Sequence, residues 1–271
     1  MISIEPGELW SDLETIRKKS PLVHNITNYV VMNSTANALL ALGASPVMAH
    51  AAEEIEDMVG LASALVVNIG TLSPAWVFSM RKAMSEAGKK GIPVVLDPVG
   101  AGATRFRSET ALTLLSEGKP AIVRGNASEI LALGAQDAKT KGVDSLHRSD
   151  EAVEAARILS EKFGVTVSIS GPSDMVVNGK KLAVVSNGHP MMPRVTGMGC
   201  TASALTGAFA AVNPSAFKAA AHAMAVMGIA GELAAGKAAG PGTFQACFID
   251  ALYSLGLKDI SEKIRVETRE S

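Results

Sequence analysis

Short Val/Ile-rich runs recur along the chain, at residues 22–24, 46–49, 64–69, 93–96, 121–123 and 165–170, and several are apolar throughout. Runs of this length without polar alternation predict strands covered on both faces. Between them the apolar positions fall at helical spacing, predicting helices over 28–42, 52–62, 74–88, 108–116, 127–133 and 150–162. Strands alternating with helices in this way give a mostly parallel sheet with helices on both faces. The rhythm then changes. Residues 175–177 and 181–185, separated by Asn178-Gly179-Lys180, read as a hairpin, since Asn-Gly suits its turn. From 200 to 255 the chain reads as almost wholly helical, broken near Asn213-Pro214 and at Gly240-Pro241-Gly242. No linker, low-complexity tract or internal repeat interrupts it, so residues 1–271 are expected to form a single α/β domain.

In such sheets ligands collect beyond the carboxyl ends of the strands. Several predicted strands end in polar or Gly-rich loops: residues 24–28 (HNITN), 97–102 (DPVGAG), 124–126 (RGN) and 170–172 (SGP). These loops are expected to converge with the most unusual stretch of the chain, residues 193–202 (PRVTGMGCTA), which runs straight into an uncharged, Ala-rich segment predicted as a buried helix over 201–210. A Gly-rich turn opening a helix presents unpaired N–H groups at the positive end of the dipole, suited to phosphate or developing negative charge. The same residues, Gly197, Gly199 and Ala202, also fit a G-x-G-x-x-A dinucleotide fingerprint. That reading needs a βαβ unit and an acidic residue about 20 positions on, whereas the chain stays helical and residues 215–222 contain no Asp or Glu. A purely structural helix start is the third reading.

Composition narrows the function classes. The 271 residues are 48% hydrophobic but only 4% aromatic, so the core is expected to be built from Ala, Val, Leu, Ile and Met. The formal net charge of -1 and the lack of a Lys/Arg run beyond short stretches such as Arg17-Lys18-Lys19 give no electrostatic footprint for nucleic acid or membrane surfaces. The first residues lack the features of a secretion signal, and apolar stretches such as 201–212 are too short to span a bilayer. Cys200 and Cys247 fit a reduced, cytoplasmic setting better than a disulfide, and three N-x-[ST] matches are then accidental.

Asp97 follows a predicted strand and precedes Pro98, which places it for a metal or a phosphate-bound water, or as a turn former. Asn126 and Glu129 are spaced to face one direction. They also match a capping box. Arg124 is the strong cation in an apolar run, suited to phosphate oxygens or to a salt bridge. Two carboxylates, Asp97 and Glu129, together with an anion turn, make Mg²⁺-nucleotide chemistry the better joint explanation. His24 and His50 lack a companion at zinc spacing. Met32, Met48 and Met58 read as core, with Met48 carried further because it ends a strand. The near-absence of charge around residues 25–32 and 46–50 suits a small, neutral heteroaromatic substrate better than a sugar.

Asn126-Ala127-Ser128-Glu129 and the 196–200 turn together resemble the ribokinase-like superfamily. With residues 23–33 (VHNITNYVVMN), 43–50 (GASPVMAH), 97–101 (DPVGA), 124–126 (RGN) and 240–244 (GPGTF), the chain is more closely similar to the hydroxyethylthiazole kinase family, over nearly its whole length. The resemblance implies transfer of the ATP γ-phosphate to the hydroxyl of 4-methyl-5-(2-hydroxyethyl)thiazole, with Mg²⁺, by a homotrimer whose substrate sites lie at subunit boundaries. It implies that Asn25, Met48 and Gly197 line the thiazole site, that Arg124 and Ser170 contact ATP, that Asp97 and Glu129 serve Mg²⁺, and that Cys200 sits beside the reacting hydroxyl. Many members carry Thr in place of Ser170, and the hydroxyl is retained. Sugar kinases of the superfamily carry an Asp base where this chain has Cys200. A thiol of ordinary pKa, about 8.5, is mostly protonated at neutral pH, so Cys200 is expected to shape the pocket while the anion turn and Mg²⁺ supply most of the acceleration. Rival readings are a hydroxymethylpyrimidine or pyridoxal kinase, an ATP-dependent NAD(P)H-hydrate dehydratase, and a nucleotide sensor without turnover.

Overall fold

The computed structural model describes residues 3–134 and 148–270. The chain runs α1 (Pro6–Lys19), β1 (Leu22–Ile26), α2 (Met32–Leu42), β2 (Ser45–Val47), α3 (Ile55–Leu61), β3 (Ala64–Asn68), α4 (Pro74–Lys90) and β4 (Val94–Asp97). It continues through α5 (Arg105–Gly118), β5 (Ile122–Asn126), α6 (Ala127–Gly134), α7 (Arg148–Phe163) and β6 (Thr166–Ser170). The hairpin β7 (Asp174–Asn178) and β8 (Lys181–Val185) follows, then a 3-10 turn at Met192–Arg194 and the helices α8 (Met198–Ala210), α9 (Ala216–Ala235), α10 (Pro241–Ser254) and α11 (Leu257–Lys263). The strand β9 (Val266–Glu270) completes a nine-stranded sheet in the order β2-β1-β3-β4-β5-β6-β7-β8-β9.

The strands β1 to β6 pair in parallel and the last three antiparallel. All six strands expected from apolar runs are present, and the central ones, β3 and β4, are buried at every position. The expected hairpin also forms, with Gly179 at φ +55° in its two-residue loop. Helices cover both faces. One core cluster gathers α1, α2 and α8 to α10, and the other gathers α3 to α7. Small residues crowd α9 within the first: fifteen of its residues are buried, most of them Ala or Gly. This is how a chain poor in aromatics packs helices closely.

The elements α1, α11 and β9 fall outside the pattern read from the sequence. A further difference matters for the site. The helix expected from residue 28 starts at Met32, because residues 28–31 turn instead, with the Val31 amide donating to the Asn28 carbonyl. That turn releases the Asn28 side chain from the helix and sends it into the protein. Among the described residues no helix is long and apolar enough to cross a membrane.

Candidate active site

The carboxyl ends of β4, β5 and β6 and the start of α8 open onto one cavity of about 810 Å³. Asp97, Arg124, Glu129, Ser170, Gly197 and Cys200 all line it. The loops expected to converge there do so, apart from residues 24–28, none of which lines it; Asn28 only bonds the lining residue Cys200 from behind. Asn25 and Met48 are not brought to this cavity. Asn25 is buried in β1, its amide donating to the Val23 carbonyl at 2.9 Å, and its Oδ1 has no hydrogen-bond partner among the described residues. Met48 follows β2 at the sheet edge, half-buried.

The helix α8 begins three residues earlier than its apolar run suggests. Gly197 caps it at φ +80°, a left-handed conformation, and a Cβ there would lie 2.6 Å from Val31 Cγ1. Only glycine meets both demands. The Thr201 amide makes the first helical bond, to the Gly197 carbonyl at 2.8 Å, so the amides of Met198, Gly199 and Cys200 precede the ladder. A Cβ on Gly199 would come within 2.8 Å of Arg124 Nη1, so the guanidinium lies directly against the helix start. A 3-10 turn, not a strand, leads into α8, which removes the dinucleotide fingerprint's required context.

Asp97, at the end of β4, is buried. Its Oδ2 accepts from Asn68 Nδ2 and Ser203 Oγ, both at 2.7 Å, while Oδ1 has no hydrogen-bond partner among the described residues. Burial pushes its pKa up to about 6, with Glu129 adding to the rise, against the pull of Arg124 and of its two hydrogen bonds. Arg124, also buried, donates to Ser170 Oγ. Glu129 forms the capping box with Asn126 in full: Oε2 accepts the Asn126 amide at 2.8 Å, and Asn126 Oδ1 accepts the Glu129 amide at 3.0 Å. Its Oε1 takes the Gly100 amide at 2.8 Å. The capping box thus forms, and the carboxylate that holds two amides also lines the cavity.

Among the described residues no group of three or more His, Cys, Asp or Glu is placed to hold a metal. The donor set is two carboxylates, one with a free buried oxygen. That set fits Mg²⁺, which keeps several waters and takes one or two carboxylates beside phosphate oxygens.

Several residues of the site carry no obvious signal in the sequence. Asn68 and Ser203 hold Asp97. Asn28 Nδ2 donates to Asn68 Oδ1 at 2.9 Å and to Cys200 Sγ at 3.4 Å. Burial and nearby Asp97 push the Cys200 thiol up, so it stays protonated, in line with a pocket-shaping role. Arg107 donates to the carbonyls of Ile69, Gly70 and Val99, tying the loops after β3 and β4 together. Asp174, pushed up to about 6 by burial, accepts the Gly171 amide beneath Ser170. At the far end, Asn187 and Gly188 form a wall. Glu232 Oε1 accepts from both, and Asn187 also bonds the Lys263 carbonyl and the Arg265 amide.

The model of the hydroxyethylthiazole kinase family matches residues 13–258. A hydroxyethylthiazole kinase from Syntrophus aciditrophicus is 58% identical over 266 residues, covering 98% of each chain. The solved structure of a hydroxyethylthiazole kinase from Pyrococcus horikoshii is 45% identical with a TM-score of 0.91, over 97% of this chain and all of that one. A ribokinase-like superfamily protein from Enterococcus faecalis, 14% identical, superposes with a TM-score of 0.64 over 89% of this chain and 88% of its own, a likeness of fold alone. A mostly parallel sheet sandwiched by helices, a Gly-capped helix facing a buried Asp, and relatives matching end to end agree on one assignment: the chain belongs to the hydroxyethylthiazole kinase family.

Proposed function

We propose that this kinase transfers the γ-phosphate of ATP to the hydroxyl of 4-methyl-5-(2-hydroxyethyl)thiazole. One observation carries the chemistry: the free amides at the start of α8 share a cavity with Asp97, Arg124 and Ser170. Family membership carries the substrate. Arg124 and Ser170 bind the nucleotide's phosphates, the guanidinium by its rigid donor fork. Gly199 and Cys200 offer backbone N–H groups to charge developing on the transferring group, at the positive end of a 13-residue helix. Asp97 Oδ1 and the Glu129 carboxylate would hold Mg²⁺, which when bound neutralises phosphate charge. Cys200 borders the acceptor hydroxyl as a neutral thiol. Because phosphoryl transfer passes through a loose transition state, positioning does more than proton removal.

Asn25, Met48 and Gly197 line the thiazole site. Family membership supports a homotrimer with substrate held between subunits. Residues 1–271 act as a single domain in the cytoplasm, a reading supported by the one continuous sheet and by membership of a metabolic kinase family.

Purified protein incubated with ATP, Mg²⁺ and the thiazole alcohol should give the monophosphate by mass spectrometry. A kcat/KM higher for a hydroxymethylpyrimidine or pyridoxal than for the thiazole would overturn the substrate assignment. ATP hydrolysis without a phosphorylated alcohol would overturn the reaction class in favour of the dehydratase, and ATP binding without turnover would leave a sensor.

A further inference from the structure

The thiol of Cys200 is gripped from behind. It lines the cavity, yet its sulfur accepts from Asn28 Nδ2, which lies on the protein side and not in the cavity wall. Asn28 is held in turn. It is 4% exposed, its amide also donates to Asn68 Oδ1, and Asn68 is tied to Asp97 and to the Gly70 amide. A Cβ on Gly70 would lie 2.6 Å from Asn28 Nδ2, so the chain leaves room for this one placement. A thiol has one proton and a sulfur that accepts weakly. With a donor on its buried side, its S–H is left to point into the cavity.

We infer that Asn28 is a positioning residue for phosphoryl transfer, fixing Cys200 so that its S–H donates to the acceptor alcohol's oxygen. The inference rests on the proposed kinase reading. It deepens that reading by giving the thiol a directional role that consumes no proton. The donated hydrogen bond occupies one lone pair of the alcohol oxygen and leaves the other to form the new P–O bond as the bond to the β-phosphate oxygen breaks, the alcohol's own proton passing to an oxygen of the transferred phosphoryl group. The Asn28–Asn68–Asp97 chain sets this geometry by the same bonds that leave Asp97 Oδ1 free.

The test is a double-mutant cycle on the full chain with Asn28→Ala, Cys200→Ala and both, reading kcat and KM for each substrate. Losing one hydrogen bond of this kind is worth about fivefold in rate. Asn28→Ala should therefore lower kcat/KM for the alcohol about fivefold while the KM for ATP stays within about twofold. In the Cys200→Ala background the same change should cost less than about twofold, because the two act as a unit. An equal loss in both backgrounds, or a rise in the KM for ATP that accounts for the whole effect, overturns the inference. A second readout needs no turnover: the S–H infrared stretch of Cys200, isolated by subtracting the Cys200→Ala spectrum, should shift in Asn28→Ala. An unchanged stretch overturns the Asn28–thiol contact. If wild-type protein leaves the alcohol unphosphorylated while the stretch still shifts in Asn28→Ala, the kinase reading is overturned and the contact upheld.

Discussion

Asp97 puts catalysis and stability in opposition, and Asp97→Asn measures the conflict. Its carboxyl moves from 3.8 in the unfolded chain to about 6 when folded. At about 1.36 kcal/mol per pKa unit, holding the ionised group folded costs roughly 3 kcal/mol at pH 7. The carboxyl binds its proton more tightly folded than unfolded, so its contribution favours the folded state most below about pH 4 and is lost as pH rises through about 6. At pH 5 the unfolded group is mostly ionised and the folded one mostly protonated, and the cost falls to about half. Asparagine mimics the neutral acid but brings an extra N–H into a buried site, at about 1 kcal/mol. The variant should thus gain about 2 kcal/mol over wild type at pH 7 and less than about 1 at pH 5. It should also lose nearly all kinase activity. Urea unfolding of both metal-free proteins at the two pH values gives the comparison. The amide term cancels in the pH difference, so a stability gap that stays constant or widens between pH 7 and pH 5 refutes the argument.

Gly197→Ala forces a side chain into φ +80° and against Val31. It should cost about 2–3 kcal/mol and depress kcat, and a melting temperature within a degree or two of wild type would count against the cap. Cys200→Ala should keep far more kcat than protein stripped of Mg²⁺ by chelation, because amides and metal carry most of the transition-state charge; equal losses would make the thiol a base. Arg124→Lys loses the fork that reaches Ser170 and should raise the KM for ATP about tenfold with the KM for the alcohol unchanged, read by steady-state kinetics.

The central strands were legible because a strand covered on both faces has no polar positions to confuse the pattern. The strand β9 was not. Its sequence, Val266-Glu267-Thr268-Arg269-Glu270, is mostly exposed, as an edge strand's charges should be, and so resembles a loop. The helix α1 buries only Leu9, Leu13 and Ile16 among charged neighbours, a stripe too thin to stand out. In the site, Asp97 and Arg124 were visible as charges breaking apolar runs. Asn28, Asn68 and Ser203 were not, since amides and hydroxyls are unremarkable until folding supplies partners 40, 172 or 106 positions away. The α2 boundary failed for the same reason: a tertiary bond outcompeted local helix propensity at Asn28.

The far wall of the cavity, Asn187 and Gly188, is latched by Glu232 and by residues 263 and 265, 76 and 78 positions beyond Asn187. During synthesis on a ribosome the opposite end of the cavity, lined by residues 97 to 200, emerges before that latch. A nascent chain therefore reaches an open-ended groove first and a walled cavity only with its last segment, so errors near residue 265 should loosen that wall while leaving most of the sheet assembled.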